Sequence, residues 1–301
     1  MKNILVTIIF LVALMTDVLG QNKVIVFQTD FGLKDGAVAA MKGVALSVSP
    51  DLRMFDNTHE IPPYNIWEAA YRLNQTASYW PAGTVFVSVV DPGVGSNRRS
   101  IVMKARSGHY FVTPDNGTLT LVAEKLGVEE VRLIDESKNR LLNSQQSYTF
   151  HGRDVYSYTA ARLASGVISF EEVGPVLQHA LIEIPYQKAE MISEREIKGT
   201  VDILDVQYGN VWTNISDSLV NKLRIKAGDK VHVRIVEDGA VKFEGDVLFG
   251  NTFADVEQGK PVVYLNSLMN LSLGINQGNF AAQYGVSSGG GSKISIKRLS
   301  D

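Results

Sequence analysis

From Lys23 to about Pro185, short apolar runs with strand spacing alternate with segments whose apolar residues recur every three or four positions. That alternation predicts an α/β layer fold with a mostly parallel sheet. Lys23 to Gln28 predicts the first strand, and Val38, Met41, Ala45 and Val48 a helix that Asp35 opens and Pro50 stops. Leu52 to Phe55 predicts a strand, and Ile66, Ala69, Ala70 and Leu73 a helix after Pro62-Pro63. Thr84 to Val90, Ser100 to Lys104 and His109 to Thr113 follow as strands. The turn Pro114-Asp115-Asn116-Gly117 leads to a helix over Thr118 to Leu126, a strand over Val131 to Ile134 and a helix over Tyr156 to Ala164. Past Pro185 the pattern changes. A polar, charged stretch over 186–198 reads as a linker, and short strands separated by Gly and Asp then predict a smaller all-β, barrel-like domain over 199–301. The N-terminal α/β domain therefore spans 23–185.

The 301 residues, 45% of them hydrophobic, are enough to bury a core in each domain. A net charge of −3 with both signs mixed gives no electrostatic footprint for nucleic acid, so a small-molecule partner is expected. Cysteine is absent, which excludes disulfides, thiolate metal sites and a cysteine nucleophile. Residues 1–20 read as a signal peptide, with Lys2 before the apolar run Ile4 to Met15 and Gly20 at the end. The run is short against the roughly 20 residues that span a bilayer. The mature protein is thus expected to be exported, periplasmic or extracellular, with no membrane association after cleavage.

Candidate chemistry gathers at the ends of predicted strands. Asp30, in Gln28-Thr29-Asp30-Phe31-Gly32, stands where the first strand yields to a loop, the side on which ligands collect in open α/β sheets. Its carboxylate suits two adjacent hydroxyls, as a ribose offers; the alternative is a capping or turn aspartate. Asp91 ends another strand, and Pro92, Gly93 and Gly95 force a turn that carries Arg98. An Asx turn at Asp91 and a solvated Arg98 are the competing readings. His151, in Phe150-His151-Gly152-Arg153-Asp154, is the histidine flanked by Gly, Arg and Asp, and with Asp91 and Arg98 supplies an acid, a base and a fixed cation. In the second domain Asp205 and Asn210 flank a short turn, where hairpin chemistry competes with recognition of a polar ligand. No histidine falls in a recognisable metal pattern, and no metal is expected.

Thr29-Asp30-Phe31-Gly32, Asp91-Pro92-Gly93-Val94-Gly95 with Arg98, Pro114-Asp115-Asn116-Gly117, Phe150-His151-Gly152-Arg153-Asp154, Tyr208-Gly209-Asn210 with Thr213-Asn214, and Asn266-Ser267 occur in this order along nearly the whole chain after residue 20. The set resembles the family of S-adenosylmethionine (SAM) hydrolases, also called SAM hydroxide adenosyltransferases, which is related to the fluorinases and chlorinases. The resemblance implies an α/β domain followed by a β-barrel, and a homotrimer with substrate held between domains of neighbouring protomers. It implies that Asp30 binds the ribose hydroxyls with Tyr64 near the sugar, that Asp205 meets the methionine amine and Ser267 its carboxylate, and that Asn210 reads the adenine with backbone groups around Ile275 and Gln277. Asp91, Arg98 and His151 stand where the family's hydrolases carry an Asp-Arg-His set that its halogenases lack. Gly152 stands where fluorinases present a serine to halide. The implied reaction is hydrolysis of SAM to adenosine and methionine, with no cofactor; a halogenase, or an exported nucleoside-binding protein without turnover, is the alternative. Two positions depart from the pattern: Met269, where relatives often have glycine, and Ser272, where many hydrolases have glutamate.

Overall fold

The computed structural model describes residues 22–289 and 291–299. The expected signal peptide, 1–20, lies outside the described residues. The chain divides into two compact units, the first ending at Ile184 and the second beginning at Pro185.

In the first unit, β1 (Val24–Thr29), β2 (Arg53–Thr58), β3 (Val85–Val89), β4 (Ser100–Ala105), β5 (Tyr110–Pro114) and β6 (Val128–Leu133) form one sheet. Among the described residues its order is β2-β1-β3-β5-β4-β6. β1 runs parallel to β2 and β3, and β3 to β5. β4 runs against both β5 and β6, because the turn between β4 and β5 is too short for the crossover a parallel pair requires. The domain is therefore α/β with a mostly parallel sheet, as its pattern predicts.

Alternation along β1 divides the core. Ile25 and Phe27 face α1 (Ala37–Val48) and α4 (Tyr158–Ala164), packing with Met41, Ala45, Ala160 and Leu163. Val24 and Val26 face the other way, toward Leu73 of α2 (Ile66–Thr76) and Val122 of α3 (Thr120–Leu126). Every residue of β1 and β3 is buried, as expected of parallel strands covered on both faces. Thr29 of β1 lies opposite Val89 of β3. Two neighbouring parallel strands thus end side by side, and the residues that leave them, Asp30 and Asp91, emerge on the same edge of the sheet.

Two local features differ from expectation. Asp35 does not occupy the helix cap: Gly36 does, while the Asp35 carboxylate accepts the Ala37 N–H. The last helix is preceded by a π-helical segment over Gly152–Ser157, which begins directly after His151.

The second unit contains β7 (Glu190–Ser193), β8 (Glu196–Asp205), β9 (Asn210–Ser216), β10 (Lys230–Glu237), β11 (Ala240–Phe249), β12 (Pro261–Leu265), β13 (Asn270–Ile275) and β14 (Lys293–Arg298). The order β14-β10-β11-β12-β13-β9-β8 closes on itself through a β14–β8 pairing, giving a seven-stranded barrel. β7 adds to the outer edge of β8. The stretch 186–198 is consequently not a bare linker, since it carries β7 and the start of β8; its polar residues are those of an edge strand with one solvated face. One pair, β11 with β12, is parallel, and the other barrel pairs are antiparallel. Alternate residues such as Val231, Val233, Ile235, Ile294 and Ile296 fill the interior. Asp238 and Gly239 join β10 to β11 with φ of 50° and 80°, the left-handed pair that a two-residue hairpin requires.

Candidate active site

Asp91 follows the end of β3, and its backbone carbonyl accepts the Val94 N–H at 3.2 Å while Gly93 accepts from Ser96 at 3.0 Å. These bonds, with Gly95 at φ +78°, fold the loop back so that Arg98 returns beneath Asp91. Arg98 Nε lies 2.9 and 3.0 Å from the two Asp91 oxygens, and Nη2 lies 2.5 Å from Oδ2. The Asp91 carboxylate is therefore committed to the guanidinium rather than to an Asx turn. Arg98 is not a solvated surface residue either, with a side chain only 10% exposed.

The same guanidinium reaches the histidine. Arg98 Nη2 donates to His151 Nδ1 at 2.8 Å, and Arg98 Nη1 donates to Ser100 Oγ at 2.9 Å. Because arginine only donates, Nδ1 must carry the lone pair, which places any proton of the neutral ring on Nε2. Burial pushes the His151 pKa down, and the Arg98 and Arg140 charges add to the effect against Glu136 and Asp91. Arg98 stays charged: its burial opposes the charge, but the Asp91 bonds outweigh it.

A second layer closes behind these three, and its residues carried no signal in the sequence. Ser100 Oγ donates to Glu136 Oε1 at 3.3 Å, Arg140 Nη1 donates to Glu136 Oε2 at 2.8 Å, and the same Nη1 lies 3.5 Å from His151 Nε2. The contacts run in a closed ring through Arg98, Ser100, Glu136, Arg140 and His151. The buried Tyr156 hydroxyl lies 3.3 Å from Ser100 Oγ, and Arg98 stacks over its ring at 5.5 Å. Asp154, close in sequence, is instead paired with Arg153.

Asp30 and Tyr64 share a cleft of about 280 Å³ with Asp91, His151, Phe31 and Gly152. Asp30 Oδ2 accepts the Tyr64 N–H at 2.9 Å, so Oδ1 is left for a ligand. A Cβ added at Gly152 would press on the Phe31 ring at 3.2 Å. The loop bearing Asp30 is fixed from below by a relay. Phe31 N–H donates to Thr29 Oγ1, which is hydrogen-bonded to His59 Nδ1 at 2.8 Å, and His59 Nε2 faces Asp56 Oδ1 at 3.0 Å. The His59 carbonyl also accepts the Gly32 N–H at 2.7 Å. Lys42 and His59 hold Asp56 below the usual carboxylate range, against the effect of its burial.

In the second unit Asp205 ends β8 directly opposite Asn210, the first residue of β9. Asn210 Nδ2 donates to Asp205 Oδ2 at 3.1 Å, and the Gly209 N–H donates to the Asp205 carbonyl at 2.7 Å. Gly209, at φ +66°, has no room for a side chain beside Asn279, and a Cβ on Gly274 would collide with Asn210 and Phe253. Asp205, Asn210, Phe253 and Asn279 line a cleft of about 640 Å³ together with Tyr264, Ile275 and Gln277. Ser267 does not line it; it is exposed in the β12–β13 hairpin turn. Below it the buried Asn266 accepts from the Leu268 and Asn270 amides and donates to Ser272 Oγ at 2.9 Å. Met269 takes φ 61° in this turn, a conformation that costs glycine nothing. Among the described residues no group of three or more His, Asp or Glu side chains is arranged to hold a metal ion, and no helix is long and apolar enough to cross a membrane.

Comparison with known proteins decides the family. Residues 25–174 match the model of the SAM hydroxide adenosyltransferase N-terminal domain, and residues 199–292 that of the C-terminal domain. The chain belongs to the SAM hydroxide adenosyltransferase family. Within that family it is 36% identical over 266 residues to the (R)-S-adenosyl-L-methionine hydrolase of Salinispora tropica, covering 87% of this chain and 94% of the relative. It is 38% identical to the enzyme of the same name from Methanocaldococcus jannaschii, over 68% and 75% of the two chains. A fluorinase from Nocardia brasiliensis is 30% identical over 91% and 97%. The crystal structure of an uncharacterized conserved protein from Thermotoga maritima superposes with a TM-score of 0.84 at 36% identity, covering 91% of this chain and all of that one.

Proposed function

We propose that this SAM hydroxide adenosyltransferase hydrolyses S-adenosyl-L-methionine to adenosine and L-methionine. The observation that carries the reading is the Arg98 fork, which engages Asp91 and His151 together behind the cleft that Asp30 lines. The Asp-Arg-His set is what separates hydrolases from halogenases in this family. Identity agrees in direction: relatives named hydrolase reach 32–38%, and those named fluorinase 29–30%. At Gly152, where fluorinases present a serine to halide, a Cβ would stand in tight contact with the Phe31 and Phe150 rings.

The chemistry asks little of the protein beyond water. The sulfonium departs as neutral methionine when the C5′–S bond breaks and its electron pair passes to sulfur, so no general acid is required. The water oxygen forms the new bond to C5′ and loses one proton. Of the two candidate bases, the neutral His151 ring has one lone pair, on Nδ1, and Arg98 takes it, whereas Asp91 Oδ1 accepts a single bond from Arg98 and keeps a second lone pair. Asp91 therefore takes the proton, and Arg98 fixes Asp91 and stabilises the developing hydroxide. Asp30 and Tyr64 hold the ribose. Asp205 and Asn210 serve the methionine amine and the adenine with Ile275 and Gln277. The reaction so written calls on no cofactor.

In the homotrimer that the family resemblance implies, the N-terminal cleft of one protomer and the barrel cleft of a neighbour complete the site. A cleaved signal at 1–20 would have the enzyme act after export on released SAM or a related sulfonium nucleoside. The test is chromatographic analysis of products from the purified protein, with and without chloride or fluoride. Adenosine and methionine in equal amounts under both conditions support the reading. A 5′-halo-5′-deoxyadenosine supports a halogenase, and binding without turnover a nucleoside-binding protein.

A further inference from the structure

His151 is approached from both sides by cations. Arg98 Nη2 stands 2.8 Å from Nδ1, and Arg140 Nη1 stands 3.5 Å from Nε2. Neither guanidinium accepts a hydrogen bond, so the neutral ring already turns its one N–H, on Nε2, toward the Arg140 cation, and a second proton on Nδ1 would break the Arg98 bond and add a charge between two cations. Arg140 is not at liberty to move aside. It is buried, its Nη1 donates to Glu136 at 2.8 Å, its Nη2 to the Ser147 carbonyl at 2.7 Å and its Nε to Ser144 Oγ at 3.1 Å, and its guanidinium stacks 4.7 Å over the Tyr148 ring. Tyr148 in turn packs edge-on against His151 at 6.2 Å. The charged and titratable groups around the imidazole are thus Asp91 and Arg98 from the loop after β3, Glu136 and Arg140 from the segment after β6, and Tyr148.

We propose that Arg140 is a positioning residue of this site: held by Glu136 and the Ser147 carbonyl, it braces the His151 ring opposite Arg98 and keeps it a neutral acceptor. The ring can then orient the Arg98 fork but cannot store the proton taken from water, which leaves Asp91 as the only acceptor. This consequence for catalysis rests on the hydrolase reading; the state of the ring does not. Glu136 has the complementary part, since it fixes Arg140 and joins it through Ser100 to the far side of Arg98.

The experiment is an NMR titration of the full chain carrying 15N-labelled histidine, of which there are five, comparing the parent with Arg140→Met, Arg140→Lys and Glu136→Gln. In the parent the His151 resonances should report a neutral ring at pH 7 with the proton on Nε2. Arg140→Met removes a cation and should raise the His151 titration by roughly one unit or more. Arg140→Lys keeps the charge and should restore most of the parent behaviour. Glu136→Gln removes the one acidic partner behind the ring and should lower the titration, a shift of opposite sign that loss of packing would not produce. If hydrolysis occurs, the acid limb of kcat should move upward with the NMR shift in Arg140→Met, with KM changed less than kcat. A parent ring protonated on Nδ1 at pH 7, or the same titration in Arg140→Met and the parent, would overturn the proposal even if hydrolysis is confirmed. Confirmation of the ring state in a chain that turns over nothing would instead overturn only the hydrolase reading.

Discussion

The Asp30 carboxylate holds the Tyr64 backbone, accepting its N–H at 2.9 Å while Tyr64, 72% exposed, sits in the left-handed region at φ 69°. A bulky residue in that conformation costs on the order of 1 kcal/mol or more, and the exposed ring gains little within its own chain. The strain is understandable if the ring is held out for a ligand over Asp30. Tyr64→Gly should therefore leave the melting temperature unchanged or raise it, and raise KM for SAM by about tenfold or more. Asp30→Ala should raise KM at least as much and lower the melting temperature, since it removes the anchor without relieving the strain. Thermal melts and steady-state kinetics on the two variants check both statements.

Arg98 acts as a fork, and a lysine cannot reproduce three bonds to one carboxylate together with one to an imidazole. Arg98→Lys should lower kcat by about a hundredfold or more with KM within a few-fold of the parent. Asp91→Asn should be more severe and His151→Ala milder, because only the first removes the proton acceptor. The double variant Arg98→Lys with His151→Ala should fall well short of the product of the single losses, as residues acting as one unit are not additive.

The relay under Asp30 should affect binding rather than chemistry. Thr29→Val deletes the hydroxyl that bridges Phe31 N–H and His59 Nδ1, leaving a buried imidazole nitrogen and a half-buried amide without that partner. A loss of about 1–3 kcal/mol in unfolding free energy is expected, with KM raised and kcat near the parent value. Denaturant titration and kinetics separate the two effects.

The barrel contains a buried carboxylate outside both clefts. Burial pushes Asp202 up to about 7, only partly offset by the Thr200 hydroxyl that donates to it. The folded state then binds its proton more tightly than the unfolded state, so stability falls as pH rises from about 4 through 7. Ionisation of this one group costs on the order of 4 kcal/mol by pH 8. Asp202→Asn should remove most of that dependence, gaining stability over the parent at pH 8 and little or none at pH 5. Denaturant midpoints at the two pH values read the difference.

Much of this architecture is legible in the chain. Apolar strands alternating with helical spacing indicate the parallel sheet, and the change after Pro185 indicates the barrel. Asp30 and Asp91 can be found because parallel strands deliver ligand groups at their C-terminal ends. Arg98 can be found because the Pro92–Gly95 turn must bring the chain back. Ser100, Glu136 and Arg140 could not be found in this way. Each is an ordinary polar residue; the Ser100–Glu136 contact joins segments 36 positions apart, in a ring that closes through Arg98 and His151, 53 positions apart, and that only tertiary packing creates. The π-helical segment after His151 is equally silent, since its spacing differs from that of an α-helix by one residue in a short span. The β7 strand was hidden by its polar composition, and the parallel β11–β12 pair by the bias of hairpin reasoning toward antiparallel neighbours.

The central claim is that a water molecule, activated at Asp91, attacks the ribose 5′ carbon. Incubation of the purified chain with SAM in 18O-enriched water, followed by mass spectrometry of both products, tests it most directly. Attack by water at the 5′ carbon puts one 18O atom in the 5′-hydroxyl of adenosine and none in methionine. Unlabelled adenosine, label in methionine, or a product other than adenosine would contradict it.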